Sequence, residues 1–505
     1  MQIFRNSGHT VLYAKVGPVS SNWDRACELY AQIKGLKTDY GLAHSTTYKH
    51  NRYGPDYTGQ GFYPQWDGNH PIHFVGHSMG GNTIRMLELL LQKGNAAENA
   101  ASGANVSGLF ATTKPGGGNW IKSKCLLSVE LLRKLSKLTR VSITIAMTTI
   151  STPHDGTTLT TKLGGDLVGL IKDLIGGFAG LIGTVGSQPS WSYDLMLDQF
   201  GLVKESGEST TTYISRVFNS PIFQPRFKDL ASYDLSPEAS RIFNSQTSLT
   251  YSGTYYFSVS TVQTVSCWFS DQCPDIDIEV IMAPTAALIG DTSGLCDTTG
   301  YCFGSNWEPN DGLVPQRSSA SPQNGITGYV APQNWASNSK FSPGIWYNRG
   351  AGRDHTQIIG FRFNLLATGD AAAGIYTVIS NTIGTIPASG SLVEGDDPDD
   401  SSAVQPAVII GASLGGVGAA VLAAAGVVTY RRRRRSNSAG SNNTTSAFAS
   451  AMTRSSRKFS KKQMERGSIT LHNNELSAEN PSFAPSAIVI SPAEHVEDVS
   501  DRFAV

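Results

Sequence analysis

Ile72-His73-Phe74-Val75-Gly76-His77-Ser78-Met79-Gly80-Gly81 is the stretch from which this chain is read. An apolar run meets a Gly-x-Ser-x-Gly pentapeptide, and residues 82–92 carry a helical pattern. Strand, sharp turn and helix in that order make a nucleophile elbow, with Ser78 standing on the turn. Glycines let the backbone turn without a Cβ clash. The pentapeptide alone is weak, since it recurs at Gly411-Ala412-Ser413-Leu414-Gly415. Only Ser78 has both a strand pattern before it and a helix after it.

Outward from the elbow, strand and helix patterns alternate across residues 1–385, which predicts an α/β domain with a mostly parallel sheet. Strands are expected at 10–16, 141–150 and 251–262, and helices at 24–33, 126–138, 227–243 and within 361–383. Residues 276–289 are expected to run from strand into helix. Residues 40–63 and 93–122 read as loops, the second with a glycosylation sequon at Asn105-Val106-Ser107. Residues 159–186 are apolar with many glycines, which suits a mobile lid better than a core helix, because each glycine costs a helix about 1 kcal/mol.

The chain's 505 residues carry no net charge, so nothing global points to nucleic acid. Its charges gather near the C-terminus. Residues 386–405 read as an acidic linker. Residues 406–430 are long and apolar enough for a membrane span, which takes about 20 residues. Arg431, Arg432, Arg433, Arg434 and Arg435 follow as a stop-transfer signal, leaving 431–505 as a disordered cytoplasmic tail. The catalytic domain is then extracellular or lumenal, although no signal peptide opens the chain. Cys267, Cys273, Cys296 and Cys302 are placed for two local disulfides in an oxidising compartment, with the pairing open. Cys27 and Cys125 read as buried thiols.

Ester hydrolysis by serine needs a base, an acid that orients it, and oxyanion donors. Along an α/β-hydrolase chain these follow in the order Ser, Asp or Glu, His. His355 is the best base and Asp311 the best acid; His154, Asp155 and Asp354 are rivals. His73 and His77 read as structural.

The chain resembles the thermoalkalophilic, zinc-binding bacterial lipases, which include the staphylococcal lipases. The likeness runs from about Val16 to Gly360. It is carried by the stretch from Val16 to Glu28, by Asp39-Tyr40-Gly41 with His44, and by the elbow. It continues in Thr152-Pro153-His154-Asp155-Gly156-Thr157-Thr158 and Leu197-Asp198-Gln199-Phe200-Gly201-Leu202. Further matches are Tyr233-Asp234-Leu235-Ser236, Asn310-Asp311-Gly312 and Asp354-His355. The resemblance implies an α/β-hydrolase fold, a Ser78/Asp311/His355 triad and an oxyanion N–H on Met79. It also implies a structural Zn²⁺ held by Asp24, His44, His50 and Asp229.

Two departures follow. The family's calcium ligands fall on Gln357 and on Arg362-Phe363, which offer no anionic oxygen, so no calcium is expected there. The family's second oxyanion donor comes from a His-Gly loop after a strand that lies before the matching region, and this sequence starts too late to contain it. The expectation is a membrane-anchored lipase or carboxylesterase; the alternative is a catalytically impaired surface or adhesion protein on the same fold, or a truncated gene.

Overall fold

The computed structural model describes residues 2–67, 70, 72–112, 144–164, 195–224, 227–267, 272–323, 331–336, 339–360, 371–386, 408–413 and 487–490. Its centre is an eight-stranded sheet. The strands lie in the order Thr10–Ala14, Val408–Ser413, Ala487–Ile490, Ile72–His77, Thr144–Ile150, Tyr255–Thr261, Trp346–Ala351 and Gln333–Asn334. From Ile72–His77 to Gln333–Asn334 every pairing is parallel, as the alternation of strand and helix patterns predicts. Ala487–Ile490 pairs antiparallel.

Both faces of the sheet are covered, which is why all six residues of Ile72–His77 are buried. Successive side chains on a strand point to opposite faces. Ile72 and Phe74, with Met147 and Tyr256, therefore pack against Leu29 and Ile33 of helix Asn22–Lys34 and Leu87 and Leu90 of helix Met79–Lys93. Val75, with Ala146 and Phe257, packs in the opposite layer with Ile379 and Ile383 of helix Ala371–Gly384. A third apolar cluster, including Leu159, Tyr213, Phe223 and Met282, holds Leu313 and Val314, and so fixes the loop that carries Asp311.

Helix Asn22–Lys34 starts where the Ser21 side chain accepts the Asp24 N–H and stops at Gly35, whose φ of 68° is left-handed. The elbow helix is a turn longer than its apolar pattern predicts, because it begins at Met79, directly after the serine.

Several expectations change. Residues 40–63 are not a plain loop: they contain helix Leu42–Tyr48 and strand Tyr53–Asp56. No capping side chain adjoins that helix; instead Glu98 accepts the N–H groups of Ala43 (3.0 Å) and His44 (2.7 Å). Glu98 is itself on helix Ala96–Ser102, in a region also read as loop, and Asn95 caps that helix through the Glu98 N–H. Residues 276–282 form no strand before helix Ala283–Ile289; the preceding strand is Cys273–Pro274.

The membrane-span expectation is corrected where it can be tested. Val408–Ser413 is a strand in register with the elbow strand, Gly411 opposite Val75 and Ala412 opposite Gly76. Three β-branched residues followed by small ones suit a sheet interior, where the backbone pairs with neighbours rather than with itself. Among the described residues no helix is long and apolar enough to cross a membrane. Ala487–Ile490 is likewise a strand within a tail expected to be disordered. The expected helix at 126–138, Cys125, linker residues 387–405 and lid residues 165–186 lie outside the described residues. Helix Thr158–Leu163 opens the lid segment.

Candidate active site and metal cluster

Ser78 follows the last residue of the elbow strand and has φ 56° and ψ −133°, outside the conformations a non-glycine residue adopts freely. Such strain costs on the order of 1–3 kcal/mol and persists only where the surroundings enforce it. The Ser78 N–H donates to the Ile150 carbonyl at 2.8 Å on the neighbouring strand. Close packing of strand against helix fixes the rest: a Cβ on Gly76 would lie 2.6 Å from the Gly81 nitrogen, and one on Gly81 would strike Thr152. Met79 heads the helix, where N–H groups have no intrahelical acceptor.

Asp311 and His355, far apart in sequence, meet in the fold. His355 Nδ1 lies 2.9 Å from Asp311 Oδ2, and the His355 N–H donates to the Asp311 carbonyl at 2.9 Å. Both residues are buried. With its proton on Nδ1, His355 keeps the lone pair of Nε2 able to accept a proton, and that atom is buried without a hydrogen-bond partner. The rings of His355 and His77, the neighbour of Ser78, are 4.6 Å apart. Base loop and elbow thus touch.

Asp311 is fully solvated by the protein. Its Oδ1 accepts the N–H groups of Leu313 (3.0 Å) and Val314 (2.8 Å), and its Oδ2 accepts the Thr261 hydroxyl at 2.6 Å. Thr261 in turn meets the Ser151 hydroxyl at 2.6 Å. Since Thr261 spends its proton on the carboxylate, Ser151 donates to Thr261. Sequence reading missed both hydroxyls. The one signal was position, since Ser151 and Thr261 both stand at the C-terminal ends of parallel strands, where α/β sites are built.

The rivals lie elsewhere. His154 is buried against Trp346, bonds Thr149 through Nε2 (3.0 Å), and is held neutral by burial. Asp155 accepts from Asn244 and the Gln323 N–H, and burial raises its pKa to about 7. Asp354 organises the base loop, accepting the N–H groups of Thr356, Gln357 and Glu279. Gln357 donates its amide to the Asp277 carbonyl at 2.6 Å, tying the same loop to residues 277–279.

A second cluster joins Asp24, His44, His50 and Asp229, whose ligand atoms all lie within 4.8 Å of one another. His44 Nε2 is 3.1 Å from Asp24 and 3.2 Å from Asp229, and His50 Nε2 is 3.3 Å from Asp229. Lys49, with φ 60°, ends helix Leu42–Tyr48 and returns the chain so that His50 faces His44. Trp23 stacks on the His44 ring, and Gln199 donates to the second oxygen of Asp24 at 2.8 Å. Burial opposes a charged His44, but Asp229 and Asp24 outweigh it and raise its pKa to about 10. Asp24 is raised by burial and by the charge of Asp229.

The two expected disulfides form, pairing Cys267 with Cys273 and Cys296 with Cys302, and Cys27 is a buried thiol.

The family described as "Lipase-like, C-terminal domain" matches residues 1–129 and 134–386. The lipase of Staphylococcus hyicus is 32% identical over 361 residues, covering 70% of this chain and 48% of its own length. Lipase 2 of Staphylococcus aureus is 33% identical over 396 residues, covering 77% and 50%. The chain therefore spans about half the length of the curated relatives it matches. Among solved structures, EstA of Clostridium botulinum is 35% identical with a TM-score of 0.60, covering 75% of this chain and 79% of that one. Lipase 1 of Pelosinus fermentans is 33% identical with a TM-score of 0.56, covering 74% and 88%. Matched across most of its described α/β domain, this chain belongs to the lipase-like C-terminal domain family.

Proposed function

We propose that this chain is an α/β-hydrolase that cleaves carboxylic esters, acylglycerols among them, through Ser78, His355 and Asp311. The observation that carries this reading is the buried Asp311–His355 pair, which leaves the unpartnered Nε2 of His355 beside a strained serine elbow. His355 Nε2 takes the Ser78 proton as Oγ attacks the ester carbonyl. Asp311 holds the Nδ1–H tautomer and balances the imidazolium. The Met79 N–H, at the positive end of a 15-residue helix, donates to the oxyanion. His355 then protonates the leaving alkoxide, and water hydrolyses the acyl-enzyme by the same route. The relatives named lipases point to lipid esters as the substrate class.

The second cluster fits a closed, structural Zn²⁺ held by Asp24, His44, His50 and Asp229. Ligands ~2.0 Å from a tetrahedral centre lie ~3.3 Å apart, and the three observed contacts span 3.1–3.3 Å. The His50 ring donates Nδ1–H to the Asn51 carbonyl (2.8 Å), so in the neutral ring Nε2 carries a lone pair. That lone pair and Asp229 Oδ2 face each other, both buried and without a hydrogen bond, as two ligands of one cation would. The metal would pin the 40–52 segment to the domain and supply no chemistry to the ester. Calcium does not fit at Gln357, whose amide already donates to the carbonyl it faces. The two disulfides favour an oxidising compartment outside the cytosol.

Hydrolysis of p-nitrophenyl esters tests the reading. Ser78→Ala is expected to reduce kcat by at least about 10⁴-fold with the fold intact; an equally active variant would refute Ser78 as the nucleophile.

A further inference from the structure

Four histidines other than His355 are buried in or beside the sheet: His9, His73, His77 and His154. Three of them lie away from the reacting atoms. His9 reaches the Ser380 carbonyl, His73 lies within the sheet, and His154 bonds Thr149. His77 is different. It ends the elbow strand, directly before Ser78, and its Nε2 lies 3.0 Å from the backbone carbonyl oxygen of His355. A carbonyl only accepts, so Nε2 bears the proton. Burial holds His77 neutral, well below the ordinary histidine pKa, and a charged His355 nearby lowers it further.

The backbone of the base is then gripped at both ends. Its N–H donates to the Asp311 carbonyl and its C=O accepts from His77. The first bond sets the base against its acid. The second sets it against the nucleophile, because His77 and Ser78 share a peptide bond. The rings of His77 and His355 also pack at 4.6 Å with a 50° tilt, which limits how the His355 ring can swing. The neutral ring adds no second cation when His355 becomes charged.

We propose that His77 is a positioning residue for catalysis, its Nε2–H holding the His355 backbone so that the base stays in reach of Ser78. This rests on the triad reading above. The step it serves, transfer of the Ser78 proton to His355 Nε2, is sensitive to distance: misplacement by about 1 Å costs about 10²-fold in rate.

The test compares three variants on a soluble short-chain p-nitrophenyl ester, with melting temperature as the folding check. His77→Phe keeps a ring but removes the donor. His77→Gln restores an amide N–H at about the reach of Nε2. His77→Asn carries the same amide one carbon short. The expected result is a 10–100-fold lower kcat for His77→Phe and His77→Asn, with KM within about twofold. His77→Gln should recover to within about threefold of the unaltered protein. Wild-type kcat in His77→Phe, or equal losses in folded His77→Gln and His77→Asn, would overturn the proposal. If His77→Phe fails to fold, the Gln and Asn pair decides it alone. A fluorophosphonate probe separates the two readings. Failure of the triad leaves Ser78→Ala labelled, whereas failure of the His77 proposal leaves Ser78→Ala unlabelled and His77→Phe labelled at the full rate.

Discussion

The Asp311–His355 pair and the cluster of Asp24, His44, His50 and Asp229 both bury carboxylates beside histidines, yet they differ in how those carboxylates are satisfied. At Asp311 the protein supplies donors enough: two backbone N–H groups, the Thr261 hydroxyl and His355 Nδ1. Both oxygens of that carboxylate thus meet donors supplied by the chain itself. Around Asp24 and Asp229 the donors run short. His50 Nε2 and Asp229 Oδ2 face each other at 3.3 Å, buried and without a hydrogen bond, while His44 alone reaches both carboxylates. One site is satisfied by the chain alone; the other, on the reading proposed above, is completed by a cation. Local satisfaction, rather than residue type, separates a reactive pair from a metal site.

Breaking the complete site should have the largest effect. Asp311→Asn keeps the shape but turns one oxygen into an NH₂ group, which opposes either the Leu313 and Val314 N–H groups or His355 Nδ1–H. The imidazole then loses its tautomer and its counter-charge. The expected loss is about 10⁴-fold in kcat, about 5.4 kcal/mol, with little change in melting temperature. Steady-state hydrolysis of a soluble ester reads it, and a loss under tenfold would assign the acid elsewhere.

Stripping the incomplete site should act on stability. A zinc-selective chelator leaves two buried carboxylates with the His44 imidazolium as their counter-charge, so the cost should lie below the roughly 3–5 kcal/mol of a buried charge left with no partner. The melting temperature is expected to fall, while kcat at 25 °C persists in the protein that remains folded. EGTA, which prefers calcium, should leave the melting curve unchanged, because Gln357 already makes the contact to Asp277. Purified protein without bound zinc, or one indifferent to both chelators, would remove the metal assignment.

The same contrast explains what the sequence made legible. The elbow was readable because strand, turn and helix are local, and each leaves a periodic or glycine signal. Asp311 and His355 were readable as types and order, but their choice over Asp354 and His154 rested on resemblance; the fold separates them by what each one touches. Thr261 was not readable, since a threonine at a strand end is ordinary until the chain fifty residues on brings Asp311 to it. Helix Leu42–Tyr48 was missed for a like reason: its N-terminal acceptor, Glu98, comes from another segment. Val408–Ser413 shows the limit of apolarity. A short run of Val and Ile reads equally as membrane helix or sheet interior, and only pairing partners decide.

The smallest effect sharpens the comparison most. Thr261→Val is nearly isosteric and removes one of four donors to Asp311. The Leu313 and Val314 N–H groups and His355 Nδ1 stay, so the carboxylate remains in place. A hydrogen bond to a charged group is worth about 1.5–3 kcal/mol, and the remaining donors absorb part of that. Ser151 also loses its acceptor and must turn elsewhere. The expected outcome is a roughly 5–30-fold fall in kcat with KM unchanged, small beside Asp311→Asn. A site satisfied by several modest bonds should weaken by degrees, whereas one that depends on a single cation should fail when that cation leaves. A collapse of kcat in Thr261→Val as large as in Asp311→Asn would mean that the Thr261 hydroxyl, rather than the set of donors, holds Asp311 in place.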